Sequence, residues 1–233
     1  LEDTRLVANG QADAPPTEQL YVSSGELRLR GGEVSGNTVS SGAVVSVYSA
    51  LLNVTDVVFR DNVAVDANAR GGALRLGCAS SCDASLRLAA ALRNVTFQNN
   101  SAGSGFGGGV YSNSYPGNLS LANCSFLRNR ASFGGGLASD EVQVRVRASR
   151  FEGNAAAVGG GGVFWTFHDA EAVLVDNATL FADNQADYGP DRATSLMQLQ
   201  SQHAGSAQGE VSGQVLQSPV TIFLLDFYEQ VVT

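Results

Sequence analysis

One pattern returns along the chain: a phenylalanine, an asparagine three residues on, an alanine two beyond it, then a glycine pair. It reads Phe59…Asn62…Ala64…Gly71-Gly72, Phe97…Asn100…Ala102…Gly108-Gly109, Phe126…Asn129…Ala131…Gly135-Gly136 and Phe151…Asn154…Ala156…Gly161-Gly162. A further copy, Phe181…Asn184…Ala186, ends on Tyr188-Gly189-Pro190-Asp191. A weaker one opens the series with Val34…Asn37…Val39 and a single Gly42. Repeats of roughly 25 to 40 residues mean stacked units, in which each unit buries its apolar face only against its neighbours.

Each unit reads as one coil of a parallel β-helix. Val54, Leu92, Leu121 and Val146 stand five before a Phe, and Val57, Val95 and Cys124 stand two before it, on its face under strand alternation. Stacking the coils lays Phe over Phe and Val over Val and Cys. The asparagines Asn37, Asn62, Asn100, Asn129, Asn154 and Asn184 fall at one angular position, where their amides can form an inward ladder. The glycines that follow supply left-handed backbone. The expectation is an all-β, right-handed parallel β-helix of about six coils.

Phe-x-x-Asn followed by Gly-Gly and Ala, Val or Leu resembles the repeat of chlamydial polymorphic outer membrane proteins, and of large algal and protist surface proteins with a pectin-lyase-like β-helix. The segments Ala186–Ala193, Ser212–Leu216 and Leu225–Val232 are similar to the way the algal and protist arrays close. The resemblance covers roughly residues 20 to 233. It implies a fold and a cell-surface setting, and little chemistry.

Composition agrees with a folded array: 44% hydrophobic and 15% charged residues argue against disorder, and the 27 glycines belong to the repeats. All basic residues are arginine and Ile222 is the sole isoleucine, the codon bias of a GC-rich genome such as a green alga's. A net charge of −8 and a pI near 4.7 leave no basic patch for phosphate, so nucleic acid is not an expected partner. No apolar run reaches the ~20 residues that span a bilayer, so direct membrane insertion is not expected. With no starting Met and no signal peptide, the chain reads as a mature fragment or the ordered part of a larger protein.

Taken in order, residues 1–19 form a turn-rich linker or N-terminal cap, 20–195 the β-helix, and 196–233 a β cap or the start of a following β-sandwich domain. Cys78 and Cys82 flank a short loop in the longest repeat and are expected to form a disulfide in an oxidising compartment. Cys124 belongs to the inward column. In the tail, Val211, Val215, Leu216, Val220, Ile222, Leu224 and Leu225 carry enough apolar surface to require burial at a junction.

The strongest chemical signal is N-glycosylation. Asn-x-Ser/Thr occurs at Asn53, Asn94, Asn99, Asn118, Asn123 and Asn177, while Asn62, Asn129, Asn154 and Asn184 carry no such motif. Polysaccharide-cleaving enzymes use this fold and are the rival reading. They need carboxylates converging from adjacent coils. The column two after each Phe reads Asp61, Asn99, Arg128, Gly153, Asp183, and the column three before reads Asp56, Asn94, Asn123, Ala148; neither gathers two acids on neighbouring coils. The cluster Asp61-Asn62…Asp66-Ala-Asn68 reads as turn chemistry ahead of a calcium site. No cofactor is implied. If Leu74, Tyr111 and Phe164 face inward, Val163, Trp165 and Phe167 face outward, either under a covering loop or as a contact surface. The functional expectation is a non-enzymatic, glycosylated structural or docking module of a large extracellular protein, with other domains of that protein and neighbouring subunits as partners.

Overall fold

A computed structural model describes residues 1–3, 5–7, 15–78, 88–113, 117–166, 172–203 and 220–232. Its elements are all β, stacked in parallel as coils of a solenoid. None of the described residues form a helix long and apolar enough to cross a membrane.

Three parallel sheets run along the stack. The first carries the phenylalanines: Arg5–Val7, Glu33–Ser35, Val58–Arg60, Thr96–Gln98, Ser125–Leu127, Arg150–Glu152 and Leu180–Ala182. The second follows the glycines, from Leu20–Val22 and Val45–Tyr48 through Leu74–Gly77, Val110–Asn113, Leu137–Asp140 and Val163–Trp165 to Arg192–Thr194. The third joins them through Glu26–Arg30, Leu51–Thr55, Leu88–Arg93, Gly117–Ala122, Gln143–Arg147 and Val173–Val175. Each coil passes from second to third to first sheet, which makes six complete coils.

The register places like residues over like. Phe59, Phe97, Phe126 and Phe151 are paired in sequence and fully buried. Their rings stack with centroids 4.9, 5.0 and 4.5 Å apart, and Phe181 adds a fourth step at 5.1 Å. Val57, Val95 and Cys124 line the adjacent column, all buried. Each buried ring contributes about 1.5–3 kcal/mol, and each stacked pair about 0.5–1.5 kcal/mol more.

The bends explain much of the remaining sequence. Before the first sheet, Asp56, Asn94, Asn123 and Ala148 take φ of 58°, 54°, 54° and 44°. After it, Asp61, Asn99, Arg128, Gly153 and Asp183 take 56°, 54°, 52°, 62° and 53°. Asn, Asp and Gly dominate because they reach the left-handed region at least cost. The glycine cluster divides its labour. Gly134 is left-handed at φ 64°, whereas Gly135 is required by close approach: a Cβ there would lie 2.6 Å from the carbonyl oxygens of Ala155 and Gly161 on the next coil.

The second sheet corrects one expectation. Leu74 registers with Val110, Leu137 and Val163, while Arg75 registers with Tyr111, Ala138 and Phe164. Val163 and Trp165 therefore point into the core, at 0% and 1% exposure, and are no contact surface. Tyr111 and Phe164 lie on the opposite side of the strand, buried in their turn. Phe164 packs with Tyr188 and Ala193 against Phe106, Phe133, Val158 and Val232. Phe167 lies outside the described residues.

The two ends differ. At the first coil, Arg5–Val7 pairs with Glu33–Ser35, and an apolar cavity of about 130 Å³ remains between Leu6, Leu20, Leu29, Val34 and Val45. At the other end the chain stays in the stack past Tyr188-Gly-Pro. Arg192–Thr194 adds a seventh strand to the second sheet, paired with Val163–Trp165. Gln198–His203 pairs antiparallel with Val220–Leu225.

The return from that hairpin closes the core. Asp226 is 1% exposed; its carboxylate accepts from the backbone of Thr194, Tyr228 and Gln230 at 3.2, 2.8 and 2.9 Å and from the Gln230 amide at 3.0 Å. Tyr228 meets Trp165 edge-on at 5.5 Å, and Arg192 lies over both Phe181 and Tyr228. Leu225 is buried, whereas Ile222 and Leu224 are not covered by the last coil and are 62% and 40% exposed on one face of the hairpin. Val211, Val215 and Leu216 lie outside the described residues.

Candidate functional site

Two sets of asparagines take opposite places. Asn37, Asn62, Asn100, Asn129 and Asn154 are fully buried and Asn184 nearly so. Each donates its Nδ2 to the Oδ1 of the next: Asn37 to Asn62 and Asn62 to Asn100 at 2.9 Å, then Asn100 to Asn129, Asn129 to Asn154 and Asn154 to Asn184 at 3.0 Å. The second amide hydrogen goes to a backbone carbonyl on the preceding coil, as from Asn129 to Phe97 at 2.9 Å. The backbone N–H of each preceding asparagine shares the same Oδ1. All the amides point one way. The last, Asn184, donates at 3.0 Å to the carboxylate of Asp191. Nothing in the repeat pattern flags Asp191, because it stands outside the Phe-x-x-Asn register.

The six asparagines of the glycosylation motifs, Asn53, Asn94, Asn99, Asn118, Asn123 and Asn177, are all exposed. Asn53 and Asn118 face outward on the third sheet; Asn94 and Asn123 occupy the same bend on consecutive coils. Their left-handed backbone gives an independent reason for asparagine there. Asn53, Asn94 and Asn99 donate to carboxylates of the preceding coil: Glu26 at 2.9 Å, Asp56 at 2.5 Å and Asp61 at 3.1 Å. Asn177 follows Asp176, whose carboxyl is held below the usual range first by the Thr179 hydroxyl.

The calcium candidates have other employment. Asp61 accepts from Arg60 at 2.8 Å and from Asn99, while Asn62 is spent in the ladder. Among the described residues no group of three or more His, Cys, Asp or Glu side chains is placed to hold a metal ion. Cys124 is buried, and burial pushes its thiol up, which leaves little reactive thiolate. Cys82 lies outside the described residues, so the Cys78–Cys82 pairing does too.

One surface feature was missed by comparing columns singly. A groove of about 580 Å³ crosses coils three to six, lined by Asn99, Ser101, Arg128, Arg130, Gly153, Ala155, Asp183 and Gln185. A neighbouring lobe of about 300 Å³ adds Leu127, Arg150 and Glu152 and shares Arg128, Gly153 and Asp183. Glu152 and Asp183 thus bring two acids of adjacent coils to one pocket, on the diagonal between columns. Glu152 is ion-paired with Arg150. Arg128 donates its Nε–H to Asn99 at 3.2 Å, which orients its guanidinium.

Comparison with family models finds the Chlamydia polymorphic membrane protein (Chlamydia_PMP) repeat at residues 94–113. That span runs from the bend before Phe97 through Asn100 and the glycine run to the second sheet, and stops short of the third. No curated protein and no solved structure matches the chain. The match covers 20 of the 233 residues; with the stacked coils it supports a parallel β-helix that carries a repeat similar to that of the polymorphic membrane proteins.

Proposed function

We propose that this chain is a non-enzymatic, N-glycosylated module of a large extracellular cell-surface or matrix protein. It acts as a rigid spacer and docking surface in adhesion, a surface coat or a filament such as an algal flagellar appendage. The observation that carries the reading is the division of the asparagines: those bearing glycosylation motifs are all exposed, those of the ladder all buried. A continuous core held by stacked rings and amides suits a stiff spacer, because each coil is locked to both neighbours. The matched repeat belongs to a family described as membrane proteins, which supports a surface location. A Cys78–Cys82 bridge accords with an oxidising compartment. Partners on this reading are other domains of the same longer chain, neighbouring subunits and the chain's own glycans, with no nucleic acid and no direct membrane insertion.

The test is intact mass of the native protein before and after enzymatic deglycosylation, with peptide mapping of the six motifs. Occupancy is expected at a subset, with Asn94 and Asn123 in competition, since their sugars start about one strand spacing, ~4.8 Å, apart. Six bare sites would overturn the extracellular reading.

One observation favours a second reading, a carbohydrate-active hydrolase or lyase: the shared pocket of Glu152 and Asp183. Release of new chain ends from polysaccharides, abolished by Asp183→Asn, would establish it. No release by the wild-type chain from acidic or neutral polymers supports the structural module.

A further inference from the structure

The groove over coil five exists because that coil has only a glycine and an alanine where its neighbours have long side chains. Gly153 and Ala155 stand between Arg128 and Arg130 on coil four and Asp183 and Gln185 on coil six, with Ala155 in register with both Arg130 and Gln185. Coil four thus supplies a wall of two guanidiniums and coil six a wall of a carboxylate and an amide, across a floor that carries nothing larger than the Ala155 methyl. Among the described residues Arg130 makes no ion pair, and Arg128 is steadied by Asn99.

The volume of about 580 Å³ falls within the range of small-ligand sites. Its chemistry narrows the ligand. No aromatic or large aliphatic side chain lines the larger lobe, so an apolar anchor from a protein partner or a lipid tail has nothing to pack on. Guanidiniums recognise carboxylate or sulfate with two parallel hydrogen bonds, while Asp183 and Gln185 accept hydroxyl protons. The groove crosses three strand spacings, roughly 14 Å, which calls for an extended ligand polar on every side.

We propose that this groove binds an oligosaccharide carrying carboxylate or sulfate groups, its anions on Arg128 and Arg130 and its hydroxyls on Asp183 and Gln185. The assignment rests on the chain being an extracellular docking module and names the chemistry it docks. Such a chain comes from one of two sources: a free acidic polysaccharide, or an acidic glycan on a neighbouring copy of this protein. The net charge of −8 opposes any polyanion at long range, so binding depends on the local arginines and weakens with salt.

The experiment titrates deglycosylated protein with a uronic-acid hexasaccharide and with a neutral hexasaccharide of the same linkage, by calorimetry at low and moderate salt. A second arm measures self-association of the glycosylated protein by sedimentation. Two variants accompany it. Arg130→Gln removes one guanidinium. Gly153→Asn fills the floor with the residue that Asn99 already presents on the same left-handed backbone, and thermal melting confirms that it folds. Expected are binding of the acidic probe alone, at least a tenfold loss in Arg130→Gln, and no detectable binding in Gly153→Asn. The same pattern in the sedimentation arm only makes the neighbour's glycan the source. Equal binding of the neutral probe, indifference to both variants, or no association in either arm overturns the proposal. Because glycan occupancy is measured separately, such a failure leaves the extracellular reading to stand or fall alone.

Discussion

Replacing Asn129 by alanine is the sharpest probe of how the stack is held. Asn129 is fully buried and makes four side-chain hydrogen bonds: Nδ2 donates to Asn154 Oδ1 and the Phe97 carbonyl, and Oδ1 accepts from the backbone N–H and Nδ2 of Asn100. Truncation leaves the Asn100 backbone N–H without its acceptor and removes a donor from the Phe97 carbonyl. Asn154 Oδ1 keeps the Asn129 backbone N–H at 3.0 Å, and Asn100 Nδ2 keeps Phe59 at 3.0 Å, so these groups lose only part of their bonding. The orphaned Asn100 N–H at about 1–3 kcal/mol, with the partial losses at the other three partners, gives a loss of roughly 3 kcal/mol, the Phe97 carbonyl keeping its place in the strand ladder. Domains of this kind hold about 5–15 kcal/mol in all, so the variant should be marginal or unfolded at 37 °C. Asn118→Ala, exposed on the third sheet, is the control and should stay within about 0.5 kcal/mol. Asn129→Asp separates accepting from donating, since the carboxylate accepts but faces Asn154 Oδ1 without a proton. Burial favours its neutral form and raises its folded pKa. The variant should therefore be more stable near pH 4 than at pH 7, its stability falling as pH rises. Urea denaturation of the three variants at both pH values decides the matter. A cost below about 1 kcal/mol for Asn129→Ala would refute the ladder as a structural spine.

Trp165→Ala should cost about 3–5 kcal/mol by denaturation, and wild-type tryptophan emission should resist acrylamide quenching because the ring is buried under Tyr228. Gly134→Ala should cost well above the ~1 kcal/mol of left-handed alanine, since its Cβ would sit 2.3 Å from the Leu137 carbonyl oxygen. Gly25→Ala, left-handed in open space, should cost only that ~1 kcal/mol, and thermal melts compare the two. Tyr188 is pushed up to about 12 by burial, with Asp226 adding to it, against an ordinary value of 10.0. The neutral phenol is the form the fold prefers, so its contribution is complete below pH 10 and lost as pH rises towards 12. Ultraviolet titration of wild type against Tyr188→Phe should lose one phenol that ionises last.

The repeat was legible because its period is chemical. Phenylalanine, asparagine and glycine each do one job at one angle, and a coil cannot satisfy them alone. The inward columns of Val57, Val95 and Cys124 follow from strand alternation, and the buried asparagines from their spacing. What eluded the sequence was the strand phase where the pattern loosens. Around Val163–Trp165 aromatic and aliphatic residues occupy both faces, because the far side packs on Phe133 and Tyr188, so alternation carries no inside-outside signal. Ile222 and Leu224 show another limit: their apolar content states a need for cover without saying what provides it, and the last coil does not. The pocket of Glu152 and Asp183 was hidden because Glu152 registers with Ala182 and Asp183 stands one residue further on, a diagonal that aligned columns do not show.

The one-way hydrogen bonding of the asparagines gives the molecule a grammar. Any unit can be inserted between two others, because each presents an acceptor to the unit before and a donor to the unit after. Nothing can be appended beyond Asp191 on the same terms, since a carboxylate accepts the last hydrogen and has none to hand on. Lengthening by duplication must therefore copy from the interior, and a copy that carried Asp191 inward would write a full stop in mid-sentence.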